Sequence, residues 1–375
     1  VKVLHVYRTY FPDPPGGLQE AIRQICLATR ERGVEARVFT LSPDPMPRDV
    51  ALPEGTVTRS RSWAAPASCD LGGPDALKQF RALARWADVV HFHFPWPFGD
   101  LLQLLGMTGK PAVMTYHSDI VRQRWLGTAY APLMRFMLRS MATVVATSPA
   151  YAQTSPLLTG VVDPARLKTI PLGILDYCNE AAHARASTDI VERLGLTGEP
   201  YFLALGVLRY YKGLHTLIEA ASLTRAKIVI AGAGPERDAL EALARRLGAS
   251  NVIFAGLVTH DEKVALLSGC RAMVLASHLR SEAFGMVLVE ASMFSKPMIC
   301  CEVGSGTSYV NEDGVTGYVV PPEEPKRFAA AIETMLTDAQ LAARMGIAAR
   351  QRYERLFSAD ALGDAYSTLY REVTR

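Results

Sequence analysis

The sequence has no apolar run approaching the roughly 18 consecutive residues that a membrane-crossing helix requires. It also shows no charged n-region leading into an apolar core and a small-residue cleavage site. These absences make a soluble, cytosolic protein the expectation. The six cysteines, Cys26, Cys69, Cys178, Cys270, Cys300 and Cys301, form no C-x-x-C, and most stand in apolar surroundings. They read as reduced core thiols rather than disulfides or a zinc site. The first apolar run is followed by RTYFPDPPGG and not by G-x-G-x-x-G, which argues against an NAD-type Rossmann oxidoreductase. There is no low-complexity tract and no short repeat. Net charge is small, at +3, but unevenly spread. Residues 1 to 177 hold 19 Lys and Arg against 14 Asp and Glu, while residues 178 to 375 hold 21 against 23. The basic half is the one expected to meet an anionic partner.

What is present is apolar material for two cores. A chain of 375 residues, 49% of them hydrophobic, exceeds one ordinary domain. Short β-rich runs recur with helical patterns between them: VKVLHVY at 1, ARVFTLS at 36, DVVHFHF at 88, PAVMTYH at 111, TVVATSP at 143 and LKTIPLG at 167. The theme repeats as YFLALGV at 201, AKIVIAG at 226, NVIFAG at 251, RAMVLAS at 271, KPMICC at 296 and TGYVVP at 316. Continuous apolar strands alternating with amphipathic helices imply parallel sheets covered on both faces. The fold class is therefore α/β, with two doubly wound, Rossmann-like domains facing a cleft. The first spans 1–177 and the second 200–357; the polar segment 178–199 reads as a linker.

Ligands of open α/β sheets collect at the carboxyl ends of the strands, where helix N-termini offer N–H groups. The unusual residues of this sequence stand there. PPGG (14–17) follows the first strand, His117-Ser118-Asp119 the fourth, GVLRYYKG (206–213) the first strand of the second half, and GAGP (232–235) the next. SEAFGMVLVE (281–290) follows the strand ending at Ser277. Glu282 and Glu290 would lie about 80° apart if that whole stretch were one helix, which is neither one face nor opposite faces. A better reading puts Glu282 in a loop and starts a helix near Phe284, with free backbone N–H groups between the two acids. A diphosphate ligand suits such a cleft.

The glycine pair after strand one, Tyr211-Lys212-Gly213, G-x-G-P and E-x-F-G-x-x-x-x-E, in this order along nearly the whole chain, resemble the retaining family-4 glycosyltransferases of the GT-B architecture. The resemblance implies transfer of a hexose from a nucleoside-diphosphate sugar to a saccharide. It implies that Glu282 binds hydroxyls of the transferred sugar and that Glu290 accepts from the ribose. The N–H groups of Phe284, Gly285 and Met286 would face the diphosphate, and Arg209 and Lys212 would neutralise it as the sugar leaves. His117 would lie beside the donor sugar. Gly16 and Gly17 would let the first loop approach phosphate or acceptor closely; a plain turn is the other reading. One departure stands out: the family's usual Gly-Arg is Gly206-Val207 here, so either Arg209 reaches the phosphate from a shifted position or Lys212 acts with less help.

No metal and no cofactor beyond the sugar nucleotide are expected, because the sequence lacks D-x-D, the usual metal-holding pair of the other nucleotide-sugar architecture. Glu236 and Asp238 read instead as partners of a helix dipole. His91 and His93 alternate onto one strand face and read as a packed or acceptor-lining pair, since no third ligand follows at useful spacing. HFHFPWPFGDLL and RYYKGLHTLIEA look most like bacterial enzymes that add mannose or rhamnose in lipopolysaccharide or capsule assembly. That favours a GDP-linked donor and a lipid-linked saccharide acceptor, with no nucleic acid involved. A UDP-sugar-dependent transferase and a nucleotide-sugar-binding module without turnover are the alternatives. Between Arg122 and Met141 apolar residues recur at helical spacing among arginines, with Trp125 near the start. This reads either as a core-facing helix or as a peripheral contact with the inner face of an anionic membrane. Finally, resemblance places the terminal helix 358–375 on the first domain.

Overall fold

The structure, a computed structural model, describes residues 1–13, 16–66, 69–106, 109–119, 124–180 and 189–375, with the side chains of 124–129 outside the description. The chain divides into two compact units, Val1–Leu175 together with Ser358–Arg375, and Asp176–Phe357.

The first unit is built on a sheet of nine strands: β1 (Lys2–Val6), β2 (Glu35–Ser42), β3 (Asp49–Leu52), β4 (Gly55–Ala64), β5 (Leu71–Gly72), β6 (Val89–Phe94), β7 (Ala112–Tyr116), β8 (Thr143–Ala146) and β9 (Leu167–Thr169). Their order is β3-β4-β2-β1-β6-β7-β8-β9, with β5 beside β4. Every pairing is parallel except those of β3 and β5 with β4. The apolar runs at 1, 36, 88, 111, 143 and 167 are six of these strands. The other three were not visible as apolar runs. β4 reads GTVTRSRSWA, in which Thr, Arg and Ser share the strand with few apolar residues. Its Arg59 is buried because Asp13, Ser42 and the Asp44 carbonyl accept from the guanidinium.

The second unit carries a six-stranded parallel sheet: β10 (Tyr201–Leu205), β11 (Lys227–Ala231), β12 (Val252–Gly256), β13 (Ala272–Leu275), β14 (Met298–Cys301) and β15 (Gly317–Val320), in the order β12-β11-β10-β13-β14-β15. All six correspond to apolar runs. Phe202, Ile228, Val274 and Ile299 share one core with Leu217, Ile218 and Phe328 of the covering helices. The six cysteines are free thiols.

The boundary between the units differs from the 178–199 linker read from composition. Asp176, Tyr177 and Cys178 already belong to the second unit: Arg350 pairs with Asp176 at 2.5 Å, Tyr177 donates to Glu290 at 2.8 Å, and the Cys178 thiol donates to the Met293 carbonyl. Downstream, Ile190 and Leu196 are buried, so a short helix at Ile190–Arg193 is anchored to that unit although its surroundings are polar. Residues 181–188 of the segment lie outside the described residues.

The terminal helix Ala359–Val373 packs in the first unit. Its Leu362, Tyr366, Leu369 and Tyr370 share a core with Val3, Ile25, Val89, Val113 and Val145. The helix Arg124–Ser140 turns Met134, Met137 and Leu138 inward and leaves Phe136, Arg135 and Arg139 exposed. Trp125 and the start of that segment lie outside the described side chains. Among the described residues no helix is long and apolar enough to cross a membrane.

Candidate active site

In the second unit the carboxyl ends of β10 and β13 bring together residues 70 positions apart. After β10 the chain passes through Gly206 to a short 3-10 turn, Tyr210–Lys212, and Gly213 then caps the helix Leu214–Ala221. Gly213 has φ of +62°, and a Cβ on it would come within 1.9 Å of the Ala276 carbonyl oxygen, so only glycine lets this turn close against β13. The closure sets the Lys212 ammonium 2.5 Å from a Glu282 carboxylate oxygen. Both side chains are nearly buried, at 13% and 11% exposed. Burial works against the charge on Lys212, but the attraction of Glu282 and its hydrogen bond outweigh that and hold the amine above its ordinary value. Ser277 donates to the same carboxylate at 3.1 Å, and Ser305 donates to the Glu282 backbone carbonyl at 2.6 Å, so the acid is clamped at both ends.

Glu282 lies in a loop. The helix begins at Met286, two residues later than Phe284, because Gly285 at φ of +82° forms its N-cap and Phe284 is buried edge-on to Phe357. Among the described residues the N–H groups of Phe284, Gly285 and Met286 make no hydrogen bond within the protein. The helix Met286–Met293 thus presents unpaired donors and the positive end of its dipole next to the Lys212–Glu282 pair. Glu290 follows about one turn along it and accepts from Tyr177 at 2.8 Å and Lys263 at 2.7 Å.

In the first unit His117 follows β7. The period of two in β6 puts His91 and His93 on one face, and the parallel register sets His5 of β1 opposite His91 and Thr115 opposite His93. The result is a buried histidine cluster. His93 bonds His5 and His117, each at 3.0 Å, and His91 bonds Thr115 at 2.7 Å and Tyr370 at 2.8 Å. Burial drives His5 and His117 down to about 3 and keeps His91 and His93 well below their usual range, so all four rings are neutral at neutral pH. A third histidine that spacing along the chain did not offer is His5: one ring nitrogen from each of His5, His91 and His93 lies within 4.8 Å of the other two.

Gly16 and Gly17 begin the helix Gly17–Arg30 with extended backbone at Gly16. A Cβ on Gly17 would meet nothing within 4 Å, and one on Gly16 would meet only the Gln19 side chain, so the fold itself does not demand either glycine. Pro14 and Pro15 lie outside the described residues.

Residues 16–173 match the glycosyl transferase 4-like domain, and residues 187–352 match glycosyl transferases group 1. The D-rhamnosyltransferase WbpZ of Pseudomonas aeruginosa is 44% identical over 360 residues, covering 96% of this chain and 93% of its own. The chain belongs to the group 1 glycosyltransferases. A second relative of the transferase, the O-antigen chain mannosyltransferase C of Escherichia coli, is 38% identical over 375 residues, 99% of this chain and 98% of its own. Among solved structures, the sucrose-phosphate synthase of Thermosynechococcus elongatus superposes with a TM-score of 0.80 at 22% identity, covering 99% and 98% of the two chains. Anabaena HepE in complex with UDP superposes with a TM-score of 0.79 at 19% identity, covering 99% and 100%. These likenesses identify the two-domain Rossmann-like GT-B fold.

In the transferase, Arg209 is not brought to the Lys212–Glu282 pair. Its side chain is exposed, makes no hydrogen bond or ion pair among the described residues, and lines a cavity of about 370 Å³ with His215, Glu236 and Arg246. Val207, at the family's usual arginine position, is 52% exposed. Glu236 caps the helix Arg237–Leu247 and Asp238 lies in its first turn. Sequence reasoning missed Ser277, Ser305, Tyr177 and Lys263, which hold the two glutamates. Ser277 and Ser305 follow the ends of β13 and β14, a position that could have flagged them; Tyr177 and Lys263, the latter inside the helix His260–Gly269, carry no such signal.

Proposed function

We propose that this transferase moves a mannose- or rhamnose-type hexose, with retention and without a metal, from a GDP-linked donor to a lipid-linked saccharide in O-antigen or capsule synthesis. The observation that carries the reading is the buried Lys212–Glu282 pair set against the unpaired N-terminus of Met286–Met293. A fixed cation and oriented N–H donors are what a departing nucleoside diphosphate needs, and they do the work a divalent ion does elsewhere. The choice of sugar is supported by two relatives of nearly full coverage, a rhamnosyl- and a mannosyltransferase. Peripheral contact with an anionic membrane is part of the proposal, supported by exposed Phe136 flanked by Arg135 and Arg139. The test is binding of GDP, UDP, ADP and dTDP, followed by transfer from GDP-mannose and GDP-rhamnose with and without chelator. GDP should bind tightest, and turnover should survive the chelator. Tighter UDP would replace the donor assignment. Val207 at the arginine position motivates a second reading, a binding module without turnover, for which GDP binding with no transfer would be the outcome.

The two glutamates should separate in the same assays. Glu290→Ala removes the acid proposed to hold ribose and leaves Lys263 and Tyr177 without their acceptor, so affinity for free nucleotide and for nucleotide sugar should fall together. Glu282→Ala should leave free-nucleotide affinity close to that of the parent and abolish most turnover. Equal loss of nucleotide affinity in both variants would remove the assignment of sugar to one acid and ribose to the other.

A further inference from the structure

The histidine cluster contains a directed chain. His5 Nδ1 lies 3.0 Å from Nε2 of His93, and His93 Nδ1 lies 3.0 Å from Nε2 of His117. All three rings are buried and uncharged, so each carries one proton. The chain can therefore run in only two senses. Its inner end decides which, because His5 Nε2 is buried with no hydrogen-bond partner among the described residues. Were that atom an N–H, a donor would be orphaned in the core; as a lone pair it leaves only an unfilled acceptor, the more readily tolerated of the two. His5 then donates from Nδ1, His93 accepts at Nε2 and donates from Nδ1, and His117 accepts at Nε2. The one nitrogen left on His117 is Nδ1, which has no hydrogen bond within the protein among the described residues.

We propose that His5 and His93 are positioning residues that hold His117 as its Nδ1–H tautomer, so that its remaining nitrogen is a hydrogen-bond donor to an oxygen of a sugar bound at the carboxyl end of β7. The tautomer of a histidine is set by the bond its other nitrogen makes, and here that bond is set in turn by a second buried ring. The inference rests on the reading that His117 faces the donor sugar. A metal filling His5, His91 and His93 is disfavoured because His91 spends its nitrogens on Tyr370 and Thr115, and His5 and His93 already share a bond.

The experiment is nitrogen-15 NMR of histidine-labelled full-length protein at neutral pH, which reads the tautomer of each ring directly. His5, His93 and His117 should all appear as Nδ1–H forms, and His5→Phe should convert His93 to a mixture. An Nε2–H form or a mixture at His117 in the parent would overturn the proposal, as would stoichiometric zinc retained after dialysis. In transfer assays His93→Leu should lower kcat about tenfold with little change in nucleotide Kd. His93→Asn, whose amide nitrogen takes the place of Nδ1, should recover most of that loss, and equal losses in folded Leu and Asn variants would count against the relay. His117→Ala tests the underlying reading on its own. Full activity there would withdraw His117 from the sugar site while leaving the tautomer result standing, whereas a wrong tautomer would remove the relay and leave His117 in place.

Discussion

Lys212→Ala should lower kcat by about 10² to 10³, equivalent to about 2.7 to 4 kcal/mol, the range found when a fixed donor to a developing anion is removed. Two effects act in the same direction. The departing diphosphate loses the cation that stabilises its growing charge, an interaction worth more in the transition state than in the ground state. In addition, Glu282, at 11% side-chain exposure, is left with a buried carboxylate whose charged partner has gone. Steady-state kinetics with a saturating acceptor would show the loss in kcat, and circular dichroism would show the fold intact. Arg209→Ala is the matched control. Because Arg209 is exposed and lines the cavity with His215, Glu236 and Arg246, its loss should cost much less than that of Lys212. Comparable losses in the two variants would mean that Arg209 swings to the phosphate when donor binds. Parental turnover by Lys212→Ala would remove the lysine from the mechanism.

Deleting residues 358–375 should abolish transfer by unfolding the first unit. The helix Ala359–Val373 supplies Leu362, Tyr366, Leu369 and Tyr370 to the core, each at most 2% exposed. Burying four such side chains contributes roughly 6 to 12 kcal/mol at about 1.5 to 3 kcal/mol each, which is comparable with the whole stability of an ordinary domain. The cut also takes the Tyr370 hydroxyl from His91 Nδ1 and the Tyr366 hydroxyl from Thr115, both 2.8 Å bonds in the buried cluster. The second unit has its own core and loses none of these contacts, so nucleotide affinity should persist. Limited proteolysis should degrade residues 1–175 while sparing 176–357, and a titration with nucleotide on the truncated protein would give the affinity. A soluble truncated chain with normal transfer would show that the terminal helix is dispensable.

The α/β class and both sheets were legible in the chain itself, because a parallel strand buried on both faces must be apolar throughout and so stands out as a run. The loop position of Glu282 was legible for a similar reason: the distance from Glu282 to Glu290 fits no single helix face, and Gly285 marks the start of the helix. β4 escaped notice because its polar residues are satisfied by side chains elsewhere in the first unit, Asp13 and Ser42 for Arg59, and no local pattern records that. The division of the chain at Leu175 was hidden because Tyr177 reads as the end of the first domain and Cys178 as the start of a polar linker until Glu290 and Met293 are placed beside them. Pairings were the part the chain could not announce. Lys212 meets Glu282 only because Gly213 lets the turn close onto β13, and His5 meets His93, 88 residues on, only because β1 and β6 are neighbours in register. Residue type and local spacing determined which chemistry was available to this protein; strand order and register, which depend on burying the sheet as a whole, decided which of those residues touch.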